Sequence, residues 1–361
     1  MWADTPLTQL LNIDYPIIQA GMAGGLTTPE LVAAVSHAGG LGTLGAGYMK
    51  PMQIQKAIHD IRRLTDRPFA VNLLVVDKTD CSRKIVEQMK AKLRNFETDL
   101  GPLDIDAVDP TPIDFYEQLE VVINEKVPVF SFAFGIPEAG SLKRLKANGA
   151  VTVGTATTVR EAVSLEESGV DAIVAQGGEA GGHRGSFLVD HDNPPLIGTM
   201  ALVPQIIDHV TLPVIASGGI MDSRGVTAAM ALGASGVQLG TAFLASNESG
   251  AHPEYKKAIL KSMDESTVLT KSFSGKAARG IRNRFIDEID SHCENIPPYP
   301  VQNALTQPLR TAAKQRNDPN FMSLWAGQGS ALALSESADK IFSNIIQGVP
   351  QVIETLHKSR R

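Results

Sequence analysis

The residues best suited to chemistry lie in one glycine-rich stretch, which runs from Asp171 to Gly185 and reads DAIVAQGGEAGGHRG. Its apolar run 172–175 is typical of a strand buried on both faces, and five glycines follow within the loop. Glycine permits positive φ and lets a flat or anionic ligand approach the backbone. His183 has an ordinary pKa near neutrality, so it is the natural proton carrier. A tight turn with a solvated histidine is the simpler interpretation, but five glycines around one histidine favour a ligand site.

Two further glycine turns follow later in the chain, Ser217-Gly218-Gly219 and Leu239-Gly240-Thr241. In a (β/α)₈ barrel the loops after the last two strands commonly bind a phosphate, because their glycines expose backbone N–H groups. Such turns could also be needed only to close the barrel. Two of them, in the right order, favour a phosphate site.

Polar or flexible side chains end other predicted strands. Asn72 interrupts the apolar run 69–75, Gln176 precedes the glycine loop, and Met22 follows the first strand. A polar side chain in a buried strand needs a partner, so a ligand contact at Asn72 is at least as reasonable as an edge-facing position. Amides suit the polar edge of a planar heterocycle, and a thioether packs beside a ring. Together with the phosphate turns, they indicate a phosphorylated aromatic cofactor such as FMN.

A phosphorylated substrate, as in sugar-phosphate barrels, is the alternative use of such turns. Those enzymes generally place Lys, Glu or Asp at strand ends for acid–base or Schiff-base work. None of the eight apolar strand runs contains a lysine. The sequence therefore disfavours Schiff-base chemistry.

These residues need a scaffold that brings strand ends together, and the sequence predicts one. Between residues 13 and 245, short apolar runs alternate with segments of helical periodicity, which is typical of a parallel sheet with crossover helices. The predicted strands are 16–20, 41–45, 69–75, 127–135, 149–154, 172–175, 213–220 and 236–243. An open doubly wound sheet would be expected to carry G-x-G-x-x-G after its first strand, and residues 21–25 do not match that spacing.

We therefore predict an α/β fold in which residues 1–245 form an FMN-binding (β/α)₈ TIM barrel. Residues 246–361 are predicted to form a helical C-terminal segment that packs on the barrel and helps to cover the active site. Within the barrel, we expect 80–100 to form an exposed amphipathic helix and 101–114 an irregular surface insertion.

The composition restricts the class of protein. The chain has 361 residues, 43% of them hydrophobic, which supports a sizeable core. A net charge of −6 argues against a nucleic-acid partner, which would favour a basic face. Cys81 and Cys293 lie far apart, which excludes a disulfide framework and fits a reducing compartment. There is no signal-peptide pattern and no apolar run of about 18 residues, so we expect a cytoplasmic protein without a membrane partner.

We expect no metal site. The histidines are scattered, and the one cluster, which combines His183 and His191 with Asp190 and Asp192, matches no familiar metal motif. The sequence leaves the oligomeric state open.

Several segments resemble the nitronate monooxygenases, formerly called 2-nitropropane dioxygenases, of the bacterial class I type. They read PIIQAGMAG (16–24), GGLGTLGAG (39–47), AVNLLV (70–75), AQGGEAGGHRG (175–185), PVIASGGI (213–220), GVQLGTAFL (236–244) and PPYPVQNALTQPLR (297–310). The resemblance implies an enzyme that holds FMN and uses O₂ to oxidise alkyl nitronates, such as propionate 3-nitronate, to carbonyl compounds and nitrite.

The resemblance also assigns roles to residues. With Gly218 of the phosphate turn added, the flavin contacts fall on Met22, Asn72, Gln176, Gly181, Gly218, Gly219, Gln238, Leu239, Gly240 and Thr241. The catalytic histidine falls on His183, which would either hold the nitro group of the substrate or deprotonate a neutral nitroalkane. Tyr299, in a proline-fixed loop, is the candidate for closing the substrate pocket, and a buried structural tyrosine is the alternative.

Two other functions remain open. Flavin-dependent enoyl-acyl-carrier-protein reductases and NADH:quinone reductases share this barrel and a similar glycine-histidine loop, so an NAD(P)H-dependent reductase is the first alternative. The long C-terminal segment and the loop sequence AQGGEAGGHRG favour the monooxygenase. A flavin-binding protein without turnover is the second alternative, and His183 disfavours it.

Overall fold

A computed structural model of the chain describes residues 2–76, 81–111, 113–189, 194–292 and 295–358. Its centre is a parallel sheet of eight strands. These strands are β1 (Ile17–Gln19), β2 (Gly42–Gly45), β3 (Phe69–Leu74), β4 (Val129–Ala133), β5 (Val151–Ala156), β6 (Ala172–Gln176), β8 (Val214–Ser217) and β9 (Gly236–Leu239). They pair in the order β1-β9-β8-β6-β5-β4-β3-β2, and a parallel bridge from Ile18 to Leu41 closes the sheet. The predicted (β/α)₈ barrel is confirmed.

The helices surround this sheet. Within the described residues they are α1 (Pro6–Leu11), α2 (Pro29–His37), α3 (Pro51–Leu64), α4 (Arg83–Arg94), α5 (Glu97–Leu100), α6 (Phe115–Asn124), α7 (Ala139–Ala147), α8 (Val159–Ser168), α9 (Thr199–Ile207), α10 (Ser223–Ala231), α11 (Thr241–Leu244), α12 (Pro253–Leu260), α13 (Arg284–His292), α14 (Val301–Leu305), α15 (Gln307–Gln315) and α16 (Ala338–Lys358). Strand β9 is shorter than predicted, because the chain turns at Gly240 and continues as α11.

Local sequence determines where the barrel helices begin. The Thr28 side chain accepts a hydrogen bond from the backbone N–H of Leu31, and Pro29 occupies the first helical position of α2, as predicted. The Asp222 side chain caps α10 by accepting hydrogen bonds from the backbone N–H groups of Arg224 and Gly225. The last helix, α16, packs between α10 and α2 and buries Phe342 in the barrel core, so it takes the eighth place in the helical ring.

A second, three-stranded sheet joins the C-terminal segment to the barrel. It consists of β7 (Gly182–His183), β10 (Thr267–Thr270) and β11 (Ala278–Ile281), all antiparallel, with β11 in the middle. His183 pairs with Ala278. We did not predict these strands, because each is at most four residues long and lacks a continuous apolar run. The sheet fixes the histidine loop against the C-terminal segment.

The stretch that we expected to be an exposed helix and a surface insertion is partly buried. Helix α4 is amphipathic as predicted, but it buries Met89 and Leu93 completely. The Phe96 ring contacts the rings of Phe285 and Phe321, with centroids 5.3 Å and 5.5 Å apart. Ile105 is buried in the same core. The amphipathic helix and the irregular link form as predicted, but the expected surface position was wrong for their apolar residues, because these pack against residues some 200 positions later in the chain.

None of the helices within the described ranges combines the length and the apolar character that a membrane crossing needs.

Candidate active site

A cavity of about 1280 Å³, open mouth included, lies at the carboxyl ends of the barrel strands. Most residues predicted for the site line it. They are Met22, Asn72, Gln176, Gly181, His183, Gly218, Gly219, Gln238, Gly240 and Thr241. Leu239 does not line the cavity: its side chain is 1% exposed and packs in the barrel core. Side chains alternate along a strand, so Gln238 faces the cavity while Leu239 faces the helices.

The glycine-histidine loop is held by side chains of its own. Arg184 is buried and donates hydrogen bonds to the carbonyls of Gly177 (2.7 Å) and Gln176 (3.0 Å). Gln176 Nε2 donates to the His183 carbonyl at 3.1 Å, and Gln176 Oε1 accepts from the Gly185 N–H at 2.8 Å. Burial lowers the pKa of Arg184 to about 10, which leaves the guanidinium charged at neutral pH. The Gln176 amide thus shapes the cavity wall by spanning the loop.

The turn after β8 forms a cradle without side chains. Gly218 and Gly219 have φ values of 117° and 72°, which L side chains rarely adopt. A Cβ added to Gly218 would lie 3.0 Å from Thr199 Oγ1. At the next turn, a Cβ added to Gly240 would lie 3.7 Å from Met22 Sδ, so Met22 reaches the same end of the cavity. Both predicted phosphate turns therefore face one space.

The C-terminal segment lies directly on the mouth of the barrel. Trp325, Gly327 and Gly329 line the cavity. The Gly327 N–H donates to Thr241 Oγ1 at 3.0 Å. A Cβ on Gly181 would approach the Gly327 nitrogen to 2.5 Å, so the loop and the segment touch through their backbones. This close approach requires glycine at position 181.

His183 lies in an aromatic box. Its ring centroid is 5.7 Å from that of Phe134, 5.8 Å from that of Tyr299 and 5.4 Å from that of Trp325. Its Nε2 is 2.8 Å from Ser274 Oγ. Phe134 has a φ of 78°, a left-handed conformation that is strained for a bulky residue. Strained residues of this kind cluster at active sites and ligand-binding sites, and this one lies against the predicted catalytic histidine.

Burial and neighbouring charges keep the His183 ring neutral. Burial is the larger cause, and together with the cations of Lys276 and Arg310 it lowers the pKa of His183 to about 3. Lys276 Nζ donates to the Ser186 carbonyl at 3.0 Å and lies 4.7 Å from the centre of the Phe134 ring. Burial lowers the pKa of Lys276 to about 8, so its side chain is still mostly protonated and positively charged at neutral pH.

Two tyrosines stand beside these cations. Tyr48 lines the cavity and shares a side-chain hydrogen bond with Tyr299. Burial raises the pKa of both phenols, so both keep their protons and can donate hydrogen bonds. Tyr299, which we predicted to close the substrate pocket, is not among the residues that line the cavity, and its ring instead contacts the His183 ring. The buried Arg310 Nε has no hydrogen-bond partner among the described residues, while Arg310 Nη2 donates to the Asn303 carbonyl.

No aspartate or glutamate is among the described residues that line the cavity. Lys276 and Arg310 lie close enough to lower the pKa of His183, so the histidine end of the cavity suits an anion. The sequence interpretation missed both cations, together with Tyr48, Phe134, Ser274 and Trp325. One signal was available for two of them, because Ser274 and Lys276 flank Gly275 and so resemble the other glycine turns.

Within the described part of the chain, no group of His, Cys, Asp or Glu side chains could hold a metal ion. Asp190, His191 and Asp192, which belong to the one cluster considered in the sequence, lie outside the described residues, as does Cys293. Cys81 is a partly buried free thiol.

Comparisons with known proteins agree on one family. A family model described as nitronate monooxygenase matches residues 4–348. A probable nitronate monooxygenase of Staphylococcus aureus (strain Newman) is 48% identical over 355 residues, which are 98% of this chain and 99% of the relative. The crystal structure of nitroalkane oxidase from Streptomyces ansochromogenes is 38% identical, with a TM-score of 0.88, and the match covers 97% of this chain and 99% of that one.

FabK from Thermotoga maritima is also similar, at 34% identity and a TM-score of 0.78 over 99% of each chain. The family match and the similar nitroalkane oxidase identify the chain as an oxidoreductase of the flavin-dependent kind. These matches extend over nearly the whole chain, including the glycine loop and the C-terminal segment that covers it. The chain therefore belongs to the nitronate monooxygenase family.

Proposed function

We propose that the chain is an FMN-dependent enzyme that oxidises alkyl nitronates, such as propionate 3-nitronate, with O₂ to carbonyl compounds and nitrite. One observation carries this proposal: the cavity has no acidic lining residue in the described chain, and its neutral histidine lies beside two cations. An anionic substrate is attracted to such a site, while a neutral imidazole remains able to accept a proton.

The described residues fit FMN. Gly218 and Gly219 leave open the turn where a phosphate would meet backbone N–H groups, and no side chain fills it. Asn72 and Gln238 present amides for the polar edge of the flavin ring, and Met22 provides a polarisable contact. Leu239 could contribute through its backbone. When bound, FMN supplies the electron transfer between the nitronate and O₂.

The protein's own contribution differs between two forms of substrate. A nitronate has already lost its α-proton, so its oxidation needs an anion site and no base. A neutral nitroalkane must first lose that proton, and we assign this step to His183, whose low pKa keeps it unprotonated. Lys276 and Arg310 then stabilise the nitronate that forms. In this proposal His183 acts as the base, and its two cationic neighbours hold the anion.

We propose in addition that the C-terminal segment of residues 246–361 covers the active site of the FMN-binding barrel through its part before α16, since α16 itself completes the helical ring around residues 1–245. Three residues of the C-terminal segment support this cover, because they line the cavity: Trp325, Gly327 and Gly329. The cover would exclude bulk water from the reacting groups and so strengthen their electrostatic interactions.

An NAD(P)H-dependent reductase is the second candidate, and the likeness to FabK over 99% of both chains favours its consideration. Cofactor analysis and product analysis separate the two. Heat-denatured protein is expected to release FMN, and incubation with propionate 3-nitronate in air is expected to release nitrite. NADH oxidation that depends on an enoyl thioester or a quinone, without nitrite formation from the nitronate, would replace the proposal with the reductase.

A further inference from the structure

Ser274 connects His183 to the backbone of the C-terminal segment. The serine is 1% exposed, and its Oγ lies 2.8 Å from His183 Nε2. The same Oγ donates to the Lys276 carbonyl at 3.0 Å and accepts from the Lys276 N–H at 3.4 Å. These three contacts use the full hydrogen-bonding capacity of a hydroxyl, which has one proton and two lone pairs.

The count of protons determines which partner donates. A carbonyl cannot donate, so the 3.0 Å contact between Ser274 Oγ and the Lys276 carbonyl is a hydrogen bond only when it takes the single hydroxyl proton of Ser274. The contact with His183 then requires a proton on Nε2. The opposite arrangement, in which Ser274 donates to Nε2, would leave this bond to a buried carbonyl unmade. Because the histidine is neutral, a proton on Nε2 leaves Nδ1 with the free lone pair.

We propose that Ser274 is a positioning residue that fixes the tautomer of His183, so that Nδ1 is the nitrogen that takes the α-proton of a neutral nitroalkane. This inference deepens the proposed function and rests on it for the identity of the substrate. In the step, the substrate C–H bond breaks, its electron pair forms the C=N bond of the nitronate, and the π pair of the nitro N=O bond moves onto that oxygen. The proton moves to Nδ1, and the resulting imidazolium still donates to Ser274 from Nε2.

The other groups around the ring do not compete for the proton on Nε2. Phe134 and Trp325 contact the ring through their aromatic faces and edges, and neither side chain titrates. The titratable or charged groups that face it are Lys276, Arg310 and Tyr299, of which the first two are cations and the third keeps its proton. The two cations disfavour a protonated histidine before substrate binds, and the uncharged Tyr299 ring only packs against it, so Ser274 is the hydrogen-bond acceptor for Nε2.

The tautomer can be measured without any turnover. We would record two-bond ¹⁵N–¹H correlation spectra of the flavin-loaded protein with ¹⁵N-labelled histidine, and assign the His183 signals by their loss in His183→Asn. The expected pattern is a protonated Nε2 and an unprotonated Nδ1 at neutral pH. In Ser274→Ala the two tautomers are expected to mix. A wild-type spectrum with the proton on Nδ1 overturns the proposal.

Kinetics supply the second readout. In Ser274→Ala, kcat/KM for neutral nitroethane is expected to fall at least about tenfold, a part of the ~10²–10⁴ that a positioned base contributes. With the preformed nitronate, kcat/KM should stay within about twofold. An equal loss on both substrates would mean that Ser274 only supports the fold, and would refute the positioning role.

Ser272→Ala is the matched control. Ser272 is equally buried two residues earlier in the same segment, but its hydroxyl bonds to Asp290 and not to the histidine. This variant should leave both the His183 spectrum and the ratio of the two activities unchanged. If the wild-type protein oxidises neither substrate, the proposed function fails, and the spectrum still decides the tautomer.

Discussion

Replacing Lys276 with methionine removes one charge from beside the active-site histidine while it keeps most of the side-chain volume. The ammonium lies 4.7 Å from the centre of the Phe134 ring, which is itself 5.7 Å from the centre of the His183 ring. The charge is therefore no more than about 10 Å from the imidazole. This cation also donates to the Ser186 carbonyl, so the substitution removes one hydrogen bond as well.

Coulomb's law gives the interaction energy between the Lys276 ammonium and a charge at His183. At ~10 Å and an effective dielectric constant of about 20, two unit charges interact by roughly 1.7 kcal/mol. Loss of the Lys276 cation should therefore raise the pKa of His183 by about one unit, from about 3 toward ~4. A nitronate bound against the imidazole would lose a similar interaction. Its KM should rise roughly fifteenfold, with a smaller change in kcat.

The assay is steady-state oxygen uptake of the flavin-loaded variant with preformed nitronate and, separately, with neutral nitroethane. KM for the nitronate should rise far more than KM for the neutral compound. Lys276→Arg keeps the charge and should retain most of the affinity, while Lys261→Met, at an exposed position, should change nothing. If Lys276→Met folds, retains its flavin and shows an unchanged KM for the nitronate, the electrostatic reasoning is wrong.

Four further predictions concern the same site. His183→Asn should keep FMN and lose about 10²-fold or more of its turnover on neutral nitroalkanes, but retain most turnover on nitronates; equal activity of variant and wild type on nitroethane would make the histidine a pocket wall. In a pH profile with nitroethane, kcat/KM should show no acid limb near pH 6.5, because the pKa of His183 is lowered to about 3. In the same range of pH values, KM for the nitronate should rise above about pH 8, where Lys276 loses its proton. Since His183 takes up its proton more readily in the unfolded chain, its contribution to folding stability should decrease as pH falls below 6.5, which thermal unfolding at several pH values would detect. Gly218→Ala should cost ~1–3 kcal/mol of stability and weaken FMN binding, whereas Gly149→Ala, also at positive φ but with open space around it, should cost stability alone; flavin titration separates the two.

The barrel could be predicted from sequence because each of its strands is a short apolar run buried on both faces. Residues 129–133 and 172–176, for example, are apolar almost throughout, and the turns that follow contain glycine or polar residues. Strands β10 and β11 lack this signal, since they pair with each other and with the two-residue strand β7 at the barrel mouth. Their partners are set by tertiary contacts, which local periodicity does not encode.

The site was predictable where function depends on local sequence and not where it depends on long-range contact. His183 and the turn at Gly218 carry their signal within a few residues. Ser274 and Lys276 meet His183 through a separation of about 90 residues in the chain, and Arg310 through more. The neutral state of the histidine results from this burial and these cations, so the sequence alone left base and anion holder as equal alternatives.

The most direct test of the central claim is oxygen consumption by the flavin-loaded enzyme with propionate 3-nitronate, measured beside a reaction that contains NADH alone. We expect rapid oxygen uptake with nitrite formation in the first reaction, and none above background in the second. Absence of uptake with the nitronate, together with rapid NADH oxidation once a quinone or an enoyl thioester is added, would contradict it.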